Sequence, residues 1–228
     1  MIRVFIGYDS AEEVAFGVLA HSIHARASVP VATAPVKLSQ LKAVFNRTHN
    51  SLQSTEFSFS RFLTPWLAGY EGWALFMDCD MLMLEDIAEL WKLRDEKYAV
   101  QVVKHVHVPK EDVKFLGHTQ TRYEKKNWSS VMLMNCARCK ALTPEYVNAA
   151  SGLELHQFKW LASEDLIGEI PARWNHLAGY DAPRADAAIV HYTIGGPWFA
   201  EYRDVEYAAE WFREREATFS ASGKRNRK

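Results

Sequence analysis

Residues 73–84 read Trp73-Ala74-Leu75-Phe76-Met77-Asp78-Cys79-Asp80-Met81-Leu82-Met83-Leu84, an apolar run that is interrupted by two carboxylates. An apolar run bounded by polar residues is typical of a strand that is buried on both faces of a sheet. Burying an unpaired carboxylate in such a place costs several kcal/mol. We therefore expect this strand at the centre of the fold and a positive partner for Asp78 and Asp80.

The spacing of the two acids suggests what that partner is. Residues i and i+2 of a regular strand point to the same side. Two carboxylates held that close repel each other unless a cation lies between them. Carboxylate oxygens suit Mg²⁺ or Mn²⁺, so the pattern predicts a metal at the end of a central strand. For the pair taken alone, two solvated acids at a strand end remain the alternative.

The composition indicates one ordinary globular domain. The chain has 228 residues, of which 48% are apolar and 24% charged. A net charge of −1 gives no reason to expect nucleic acid as a partner. The three cysteines do not suggest a disulfide framework, the N-terminus lacks a signal-peptide pattern, and no apolar run is long enough for a transmembrane segment. We expect a cytoplasmic protein.

Strands and helices alternate along the chain, which predicts the α/β class. The predicted strands are 2–8, 30–38, 73–84, 98–103, 130–135 and 187–192, and the predicted helices are 10–26, 58–67, 85–91, 137–142, 154–160, one that opens at Ser163, and 205–216. Pro30 and Pro35 favour a sheet edge for the second strand. We expect one domain over residues 1–219, with 104–127 as a loop excursion and 220–228 as a disordered basic tail.

The first strand ends in Gly7-Tyr8-Asp9-Ser10. Ligands of α/β sheets collect at the carboxyl ends of strands, so this is a candidate binding segment, although Asp9 alone could be an ordinary turn residue. Ser10 and Glu13 have the spacing of a capping box, which predicts that the following helix starts there.

His191 ends an apolar strand and precedes a Gly195-Gly196-Pro197 turn. A neutral imidazole at a strand end can complete the coordination of a metal held by carboxylates. A structural histidine is the alternative, and the need of the two acids for a further ligand favours coordination. The CxxC pair Cys136 and Cys139 lacks a second pair of ligands, and we interpret both as structural.

Six segments, taken in order, carry a resemblance to a known family. They are residues 57–65 with Arg61-Phe62, 76–82 with Asp78-Cys79-Asp80, 127–135 with Val131-Met132-Leu133-Met134-Asn135, 163–167 with Ser163-Glu164-Asp165, 170–175 with Trp174-Asn175, and 191–198 from His191 to Trp198. As an ordered set they resemble the nucleotide-sugar-dependent glycosyltransferases of the GT-A fold, most of all glycosyltransferase family 8. The resemblance spans about residues 2–199.

The resemblance implies a GT-A type fold, a mixed and mostly parallel Rossmann-like sheet with helices on both faces. It implies transfer of a hexose from a nucleotide diphosphate sugar, a UDP-hexose, with retention of configuration. The acceptor, a saccharide, a lipid-linked group or a protein, is not identified, and loop 104–127 is the expected place for it. Mn²⁺ or Mg²⁺ would neutralise the departing diphosphate as a Lewis acid.

The resemblance also assigns the site residues. The implied metal ligands are Asp78, Asp80 and His191. The implied nucleotide-sugar contacts are Gly7, Tyr8, Asp9, Ser10, Arg61, Asp78, Asn135, Gly195, Gly196 and Trp198. Glu164 and Asp165 are the implied catalytic residues, which would stabilise charge near the anomeric carbon in an oxocarbenium-like transition state.

The sequence departs from the family pattern in three places. Ser163-Glu164-Asp165 replaces Asp-Gln-Asp, so Glu164 could act as a nucleophile or base or could pair with Arg173. The C-terminal motif lacks its lysine, for which Arg203 or a loop lysine could substitute. Ser129-Ser130 replaces a small residue followed by glycine, a change that could narrow the sugar pocket.

Two other functions compete with a transferase. A non-catalytic relative that binds a nucleotide sugar would fit the lost lysine and the altered Asp-Gln-Asp. A haloacid-dehalogenase-type phosphatase also has Asp-x-Asp after an apolar strand. That resemblance is poorer, because its motif normally lies near the N-terminus and here Met81 and Leu82 follow the acids.

Overall fold

The computed structural model describes residues 1–48, 53–106 and 124–220. Six strands form the main sheet in the order β2-β1-β3-β6-β5-β7. They are β1 (Ile2–Gly7), β2 (Val31–Val36), β3 (Trp73–Met77), β5 (Val100–Val102), β6 (Val131–Asn135) and β7 (Ile167–Glu169). β6 is antiparallel to both of its neighbours, and the other pairs are parallel. This mixed, mostly parallel sheet confirms the predicted α/β class and the edge position of the second strand.

A second sheet has three strands in the order β4-β9-β8. They are β4 (Met81–Met83), β8 (His176–Leu177) and β9 (Ile189–His191). Stretch 73–84 therefore supplies β3 to the main sheet and β4 to the second, and the prediction of one continuous strand is wrong. A continuous strand would carry Asp78 and Asp80 into an apolar interior, whereas the break between β3 and β4 leaves them where the two sheets meet.

The described ranges contain six α-helices, of which five lie between strands and the sixth follows the last strand. They are α1 (Glu13–Arg26), α2 (Thr64–Leu67), α3 (Ile87–Lys92), α4 (Pro144–Ala149), α5 (Gly152–His156) and α6 (Ala208–Phe219). α6 docks on α1 through Glu214, which accepts from His21 Nδ1 at 2.5 Å and Arg26 Nη2 at 2.7 Å. Across the described ranges, none of the helices has the length and hydropathy needed to cross a bilayer.

The predicted capping box is not formed. Asp9, rather than Ser10, caps the first turn, the 3-10 helix Ser10–Glu12, by accepting from the Ala11 amide. The Ser10 hydroxyl instead donates to the carboxylate of Glu56, a long-range contact that competes with the local one.

The predicted helix at Ser163 is a single turn. Ser163 caps it as expected, but the 3-10 helix Glu164–Leu166 leads directly into β7, because the next residues, Ile167–Glu169, pair with β5. Burial raises the pKa of the Cys136 thiol to about 11, in agreement with a structural cysteine. Most of the predicted loop 104–127 and nearly all of the predicted tail 220–228 lie outside the described residues.

Candidate metal centre

Asp78, Asp80 and His191, which we call the ligand triad, offer three ligand atoms that lie within 4.8 Å of one another. The two acids follow β3, and His191 ends β9. Pairing of β4 with β9 sets Met81 opposite His191, and the Tyr192 amide donates to the Asp80 carbonyl at 2.9 Å. The backbone ladder of the second sheet therefore places the imidazole beside the second acid.

The triad lies in an acid-rich environment. Arg61 Nη1 donates to Asp78 Oδ1 at 2.7 Å, and both side chains are buried. Behind the triad, the Cys79 thiol donates to the buried carboxyl of Glu12 at 3.4 Å. Burial raises the pKa of Glu12 well above its ordinary value, and the charge of Asp80 raises it further. Two carboxylates and an imidazole in such a place fit a divalent cation that prefers oxygen and nitrogen ligands.

The imidazole of His191 has a defined orientation. Its Nδ1 lies 3.0 Å from Asn175 Oδ1, and its Nε2 lies 3.4 Å from Asp80 Oδ1. Metal-binding histidines commonly donate one ring nitrogen to an acceptor and direct the other at the metal. The arrangement of His191 has this form.

The end of β1 lies beside the triad. β1 is parallel to β3 with Ile6 opposite Met77, so Gly7 and Asp78 are neighbours at the carboxyl ends of these two strands. We call this end of the main sheet, with the ligand triad, the metal edge. A Cβ on Gly7 would lie 2.4 Å from the ring of Phe57, which explains the need for glycine at this close approach.

The side chains that follow Gly7 already have partners. Asp9 accepts from the amides of Ala11 and Glu56 at 2.9 and 3.0 Å. Lys37 Nζ lies 4.0 Å from the centroid of the Tyr8 ring. Asp9 thus acts as a turn residue, which was the alternative interpretation of its role. It also lies next to the metal edge.

A curated plant protein shares much of this sequence. Protein CDI of Arabidopsis thaliana is 48% identical over 223 residues, which is 94% of this chain and 86% of that protein. The chain belongs to the family of Protein CDI. Its sequence matches no family model.

Solved structures show the fold of this family. The bifunctional glycosyltransferase WbbM superposes with a TM-score of 0.67 at 14% identity, over 94% of this chain and 49% of WbbM. GlyE of Streptococcus pneumoniae TIGR4 gives 0.63 at 14%, over 94% of this chain and 60% of GlyE. The galactosyltransferase LgtC, in complex with donor and acceptor sugar analogues, gives 0.59 at 11%, over 97% and 98%.

These similarities confirm the predicted GT-A fold, which resembles that of family 8. The chain spans about half the length of WbbM and three-fifths of that of GlyE. At identities of 11–14% the likeness concerns the fold alone. Within the family of Protein CDI, the site residues must therefore be judged on their own geometry.

Glu164 and Asp165 lie on the exposed turn that precedes β7. Glu164 pairs with Lys125 Nζ, and this hydrogen bond holds the pKa of Glu164 below its ordinary value. The alternative pairing with Arg173 is wrong, since Arg173 Nη2 binds Glu85 at 3.1 Å. Asp165 Oδ2 accepts from the Ser163 hydroxyl at 3.2 Å. Neither acid belongs to the ligand triad.

Asn135 lies at the end of the main sheet that is opposite to the metal edge, where β3 begins. Met77 pairs with Val131 and Trp73 with Asn135, so Asn135 is four residues, about 13 Å, along β6 from the triad end. Its amide donates to Glu96 Oε2 at 2.8 Å. This position gives no support to a nucleotide-sugar contact, and Asn135 is not part of the site that we propose.

The turn after β9 is packed by aromatic rings. Gly195 has φ +135°, and a Cβ there would lie 2.4 Å from the ring of Tyr202. A Cβ on Gly196 would lie 2.0 Å from the ring of Trp198. The Trp198 indole nitrogen is buried and has no hydrogen-bond partner in the described part of the chain. Arg203 stacks 5.3 Å from the centroid of the Phe212 ring.

Sequence reasoning missed four residues around the site. Glu56, Lys125 and Asn175 contact residues of the predicted site, and Glu12 contacts Cys79, which lies between the two acids. A weak signal existed for two of them. Glu12 stands one turn after Asp9, and Asn175 closes one of the six matching segments. Their partners lie 16 to 67 residues away in the chain, and no spacing rule links them.

Proposed function

We propose that this protein is a metal-dependent glycosyltransferase that moves a hexose from a UDP-hexose to a saccharide, lipid-linked or protein acceptor, with retention of configuration. The observation that carries the proposal is the ligand triad, which lies at the metal edge beside Gly7 in a GT-A fold. Retention is inferred from the resemblance to family 8. The glycosyltransferase names of WbbM, GlyE and LgtC support the reaction class.

In this proposal Asp78, Asp80 and His191 hold Mn²⁺ or Mg²⁺. When bound, such an ion supplies Lewis-acid neutralisation of the diphosphate. Arg61 fixes the Asp78 carboxylate and adds a positive charge at the same edge, toward the diphosphate or the sugar. The buried indole N–H of Trp198 is a further donor, after the strand that carries His191.

The end of β1 would bind the nucleoside. Gly7 lets the backbone approach closely, Tyr8 offers an aromatic face, and Asp9 and Ser10 offer polar atoms for the ribose and base. The contacts of Asp9 and Ser10 with Glu56 bring a second segment of the chain to this place. Binding a nucleoside there would require Glu56 to share these partners.

Glu164 and Asp165 would stabilise positive charge near the anomeric carbon. Because Lys125 lowers the pKa of Glu164, this carboxylate is anionic at neutral pH and suits electrostatic stabilisation better than proton donation. Because Glu164 is already neutralised by Lys125, its position also favours the second candidate, a non-catalytic relative that binds a nucleotide sugar. The superposed structures are all named glycosyltransferases and give no support to a phosphatase.

Thermal unfolding tests the metal and nucleotide site. Mn²⁺ with UDP should raise the melting temperature of the wild type, since a ligand at a hundredfold excess over its Kd stabilises by about 2.7 kcal/mol. Asp80→Ala should remove this shift. Asp204→Ala, which removes an exposed carboxylate, is the matched control and should keep it. The absence of a shift in the wild type, or its persistence in Asp80→Ala, would contradict the proposed site.

Donor hydrolysis then separates the two candidates. UDP-glucose, UDP-galactose and their N-acetyl forms are incubated with Mn²⁺, and released UDP is measured. A transferase should release UDP slowly from one of these donors, and Asp80→Ala should not. Stabilisation by Mn²⁺ and UDP without release from any donor would favour the non-catalytic relative.

A further inference from the structure

Asn175 is fully buried and immediately precedes β8. Its Nδ2 donates to Ser130 Oγ at 2.8 Å and to the Asn127 carbonyl at 3.4 Å. Its Oδ1 faces His191 Nδ1 at 3.0 Å. One amide side chain therefore joins a ligand of the triad to the turn that precedes β6.

The hydrogen-bond pattern fixes which way the amide points. The Asn127 carbonyl only accepts, and the Ser130 hydroxyl donates to it at 2.6 Å. The Ser130 oxygen is then left to accept from Asn175 Nδ2. A flipped amide would set the Asn175 oxygen against the Asn127 carbonyl, two acceptors face to face. Asn175 Oδ1 must therefore face His191.

This orientation determines the tautomer of His191. Asn175 Oδ1 can only accept, so the facing Nδ1 of His191 must carry a proton. In the neutral imidazole, Nε2 then has its lone pair, and it is Nε2 that faces Asp80 at 3.4 Å. A metal requires this lone pair.

The same turn also holds the other side of the triad. The Ser130 carbonyl accepts from the Asp78 amide at 2.9 Å, and the Ser129 carbonyl accepts from Arg61 Nη1 at 3.0 Å. Asn127 adopts a left-handed conformation with φ +66° that lets the turn form. The hydroxyl of Ser130, where family 8 has glycine, thus points into this network and contacts Asn127 and Asn175.

We propose that Asn175, oriented by Ser130, is a positioning residue that holds His191 in the tautomer with a proton on Nδ1 and an open lone pair on Nε2. The inference rests on the proposed function insofar as this lone pair serves a metal. The tautomer itself is a property of the metal-free protein.

Nitrogen-15 NMR of histidine-labelled, metal-free protein tests the inference. An imidazole nitrogen has a different shift with and without its proton, so the spectrum shows which ring nitrogen of His191 carries the proton. We expect the His191 proton on Nδ1 in the wild type. Asn175→Leu should move it to Nε2, and Asn175→Asp, which keeps an acceptor, should return it to Nδ1. Asn148→Leu alters an amide on α4 and should leave His191 unchanged.

Mn²⁺ binding, measured by calorimetry, is the second readout. Asn175→Leu should weaken Mn²⁺ binding by about 10- to 100-fold, as for other partners of metal-bound histidines. Asn175→Asp should retain the wild-type affinity within about tenfold.

The outcomes separate the two proposals. A wild-type proton on Nε2, or one that stays on Nδ1 in Asn175→Leu, overturns the inference whether or not a metal binds. The expected tautomers in a protein that does not bind Mn²⁺ would support the positioning role and contradict the proposed function. If circular dichroism shows that Asn175→Leu does not fold, Asn175→Ala replaces it. The inference is then tested by the ring nitrogen of His191 that carries the proton in the wild type and in Asn175→Ala.

Discussion

Two glutamates show how differently the two sides of the proposed site are built. Glu12 is buried behind the ligand triad, and its burial and the charge of Asp80 raise its pKa well above the ordinary value. Glu164 lies on an exposed turn, and a hydrogen bond from Lys125 lowers its pKa. The metal edge is therefore an excess of buried acid that requires cations. At the turn, the exposed carboxylate of Glu164 is neutralised by Lys125, whose own side chain is largely buried.

The contrast predicts how each side responds to substitution. Buried charges are held by specific partners, and removal of one partner leaves the other uncompensated. Exposed pairs are screened by water and contribute little to stability. Variants at the metal edge should consequently change folding stability, and variants at the turn should change the reaction with little effect on stability.

The largest effect is expected for Arg61→Met. Arg61 is the buried guanidinium that pairs with Asp78 at 2.7 Å, and methionine fills its volume without its charge. The Asp78 carboxylate would then be buried without this partner. We expect the metal-free protein to lose about 3–5 kcal/mol of unfolding free energy, measured by urea denaturation.

Lys92→Met is the matched control for Arg61→Met. It breaks an exposed pair with Glu89 on α3 and should change the unfolding free energy by less than about 0.5 kcal/mol. Equal losses in the two variants would show that the metal edge is no different from a surface ion pair. Mn²⁺ should restore part of the loss in Arg61→Met, because a cation bound to the triad compensates Asp78.

A smaller effect, with a defined pH dependence, is expected for Glu12→Gln. The folded-state pKa of Glu12 is raised above 4.5, its ordinary value, so the folded protein binds this proton more tightly than the unfolded chain. The stability that it contributes is complete below pH 4.5 and is lost as the pH rises through the folded-state pKa. Glutamine stays neutral and should remove this decline.

Urea denaturation of the metal-free protein over a pH series checks the prediction for Glu12. Glu12→Gln should be more stable than the wild type at neutral pH, by less than Arg61→Met loses. Glu13→Gln alters the exposed neighbouring carboxylate and should follow the wild-type curve. If the unfolding free energies of Glu12→Gln and the wild type changed with pH in parallel, Glu12 would lie outside the acidic environment that we describe.

The same contrast explains what the sequence could predict. Trp73–Met77 is a continuous apolar run, and so are the first four residues of Val131–Asn135, so their burial in the centre of the sheet follows from composition alone. Asp78 and Asp80 stood out because acids are unfavourable inside such a run. The ligand triad was therefore predictable as soon as His191 was considered with them.

The supporting contacts were not predictable from local pattern. The break between β3 and β4 depends on pairing of Met81 with His191, more than a hundred residues away. β7 is only three residues long, and the sequence from Ser163 onward predicted a helix in its place. Local patterns report on neighbours in sequence, whereas these contacts are set by the packing of distant segments.

The smallest change in stability is expected for Glu164→Gln, which restores the amide of the family motif. The side chain is exposed, so the unfolding midpoint should shift by less than about 2 °C. If the carboxylate stabilises charge at the anomeric carbon, kcat for donor release should fall by about tenfold with KM unchanged. An unchanged kcat would leave Glu164 as a surface partner of Lys125.

The pH profile sharpens this test of Glu164. Lys125 holds the pKa of Glu164 below its ordinary value, so the wild-type rate should stay constant through neutral pH and fall only as the pH drops through that lowered pKa. Lys125→Met removes the partner and keeps the carboxylate, and the acid limb of its rate profile should move to higher pH. Glu164→Gln should lack this limb. An acid limb that is the same in all three proteins would assign it to another group and would place Glu164 outside the reaction.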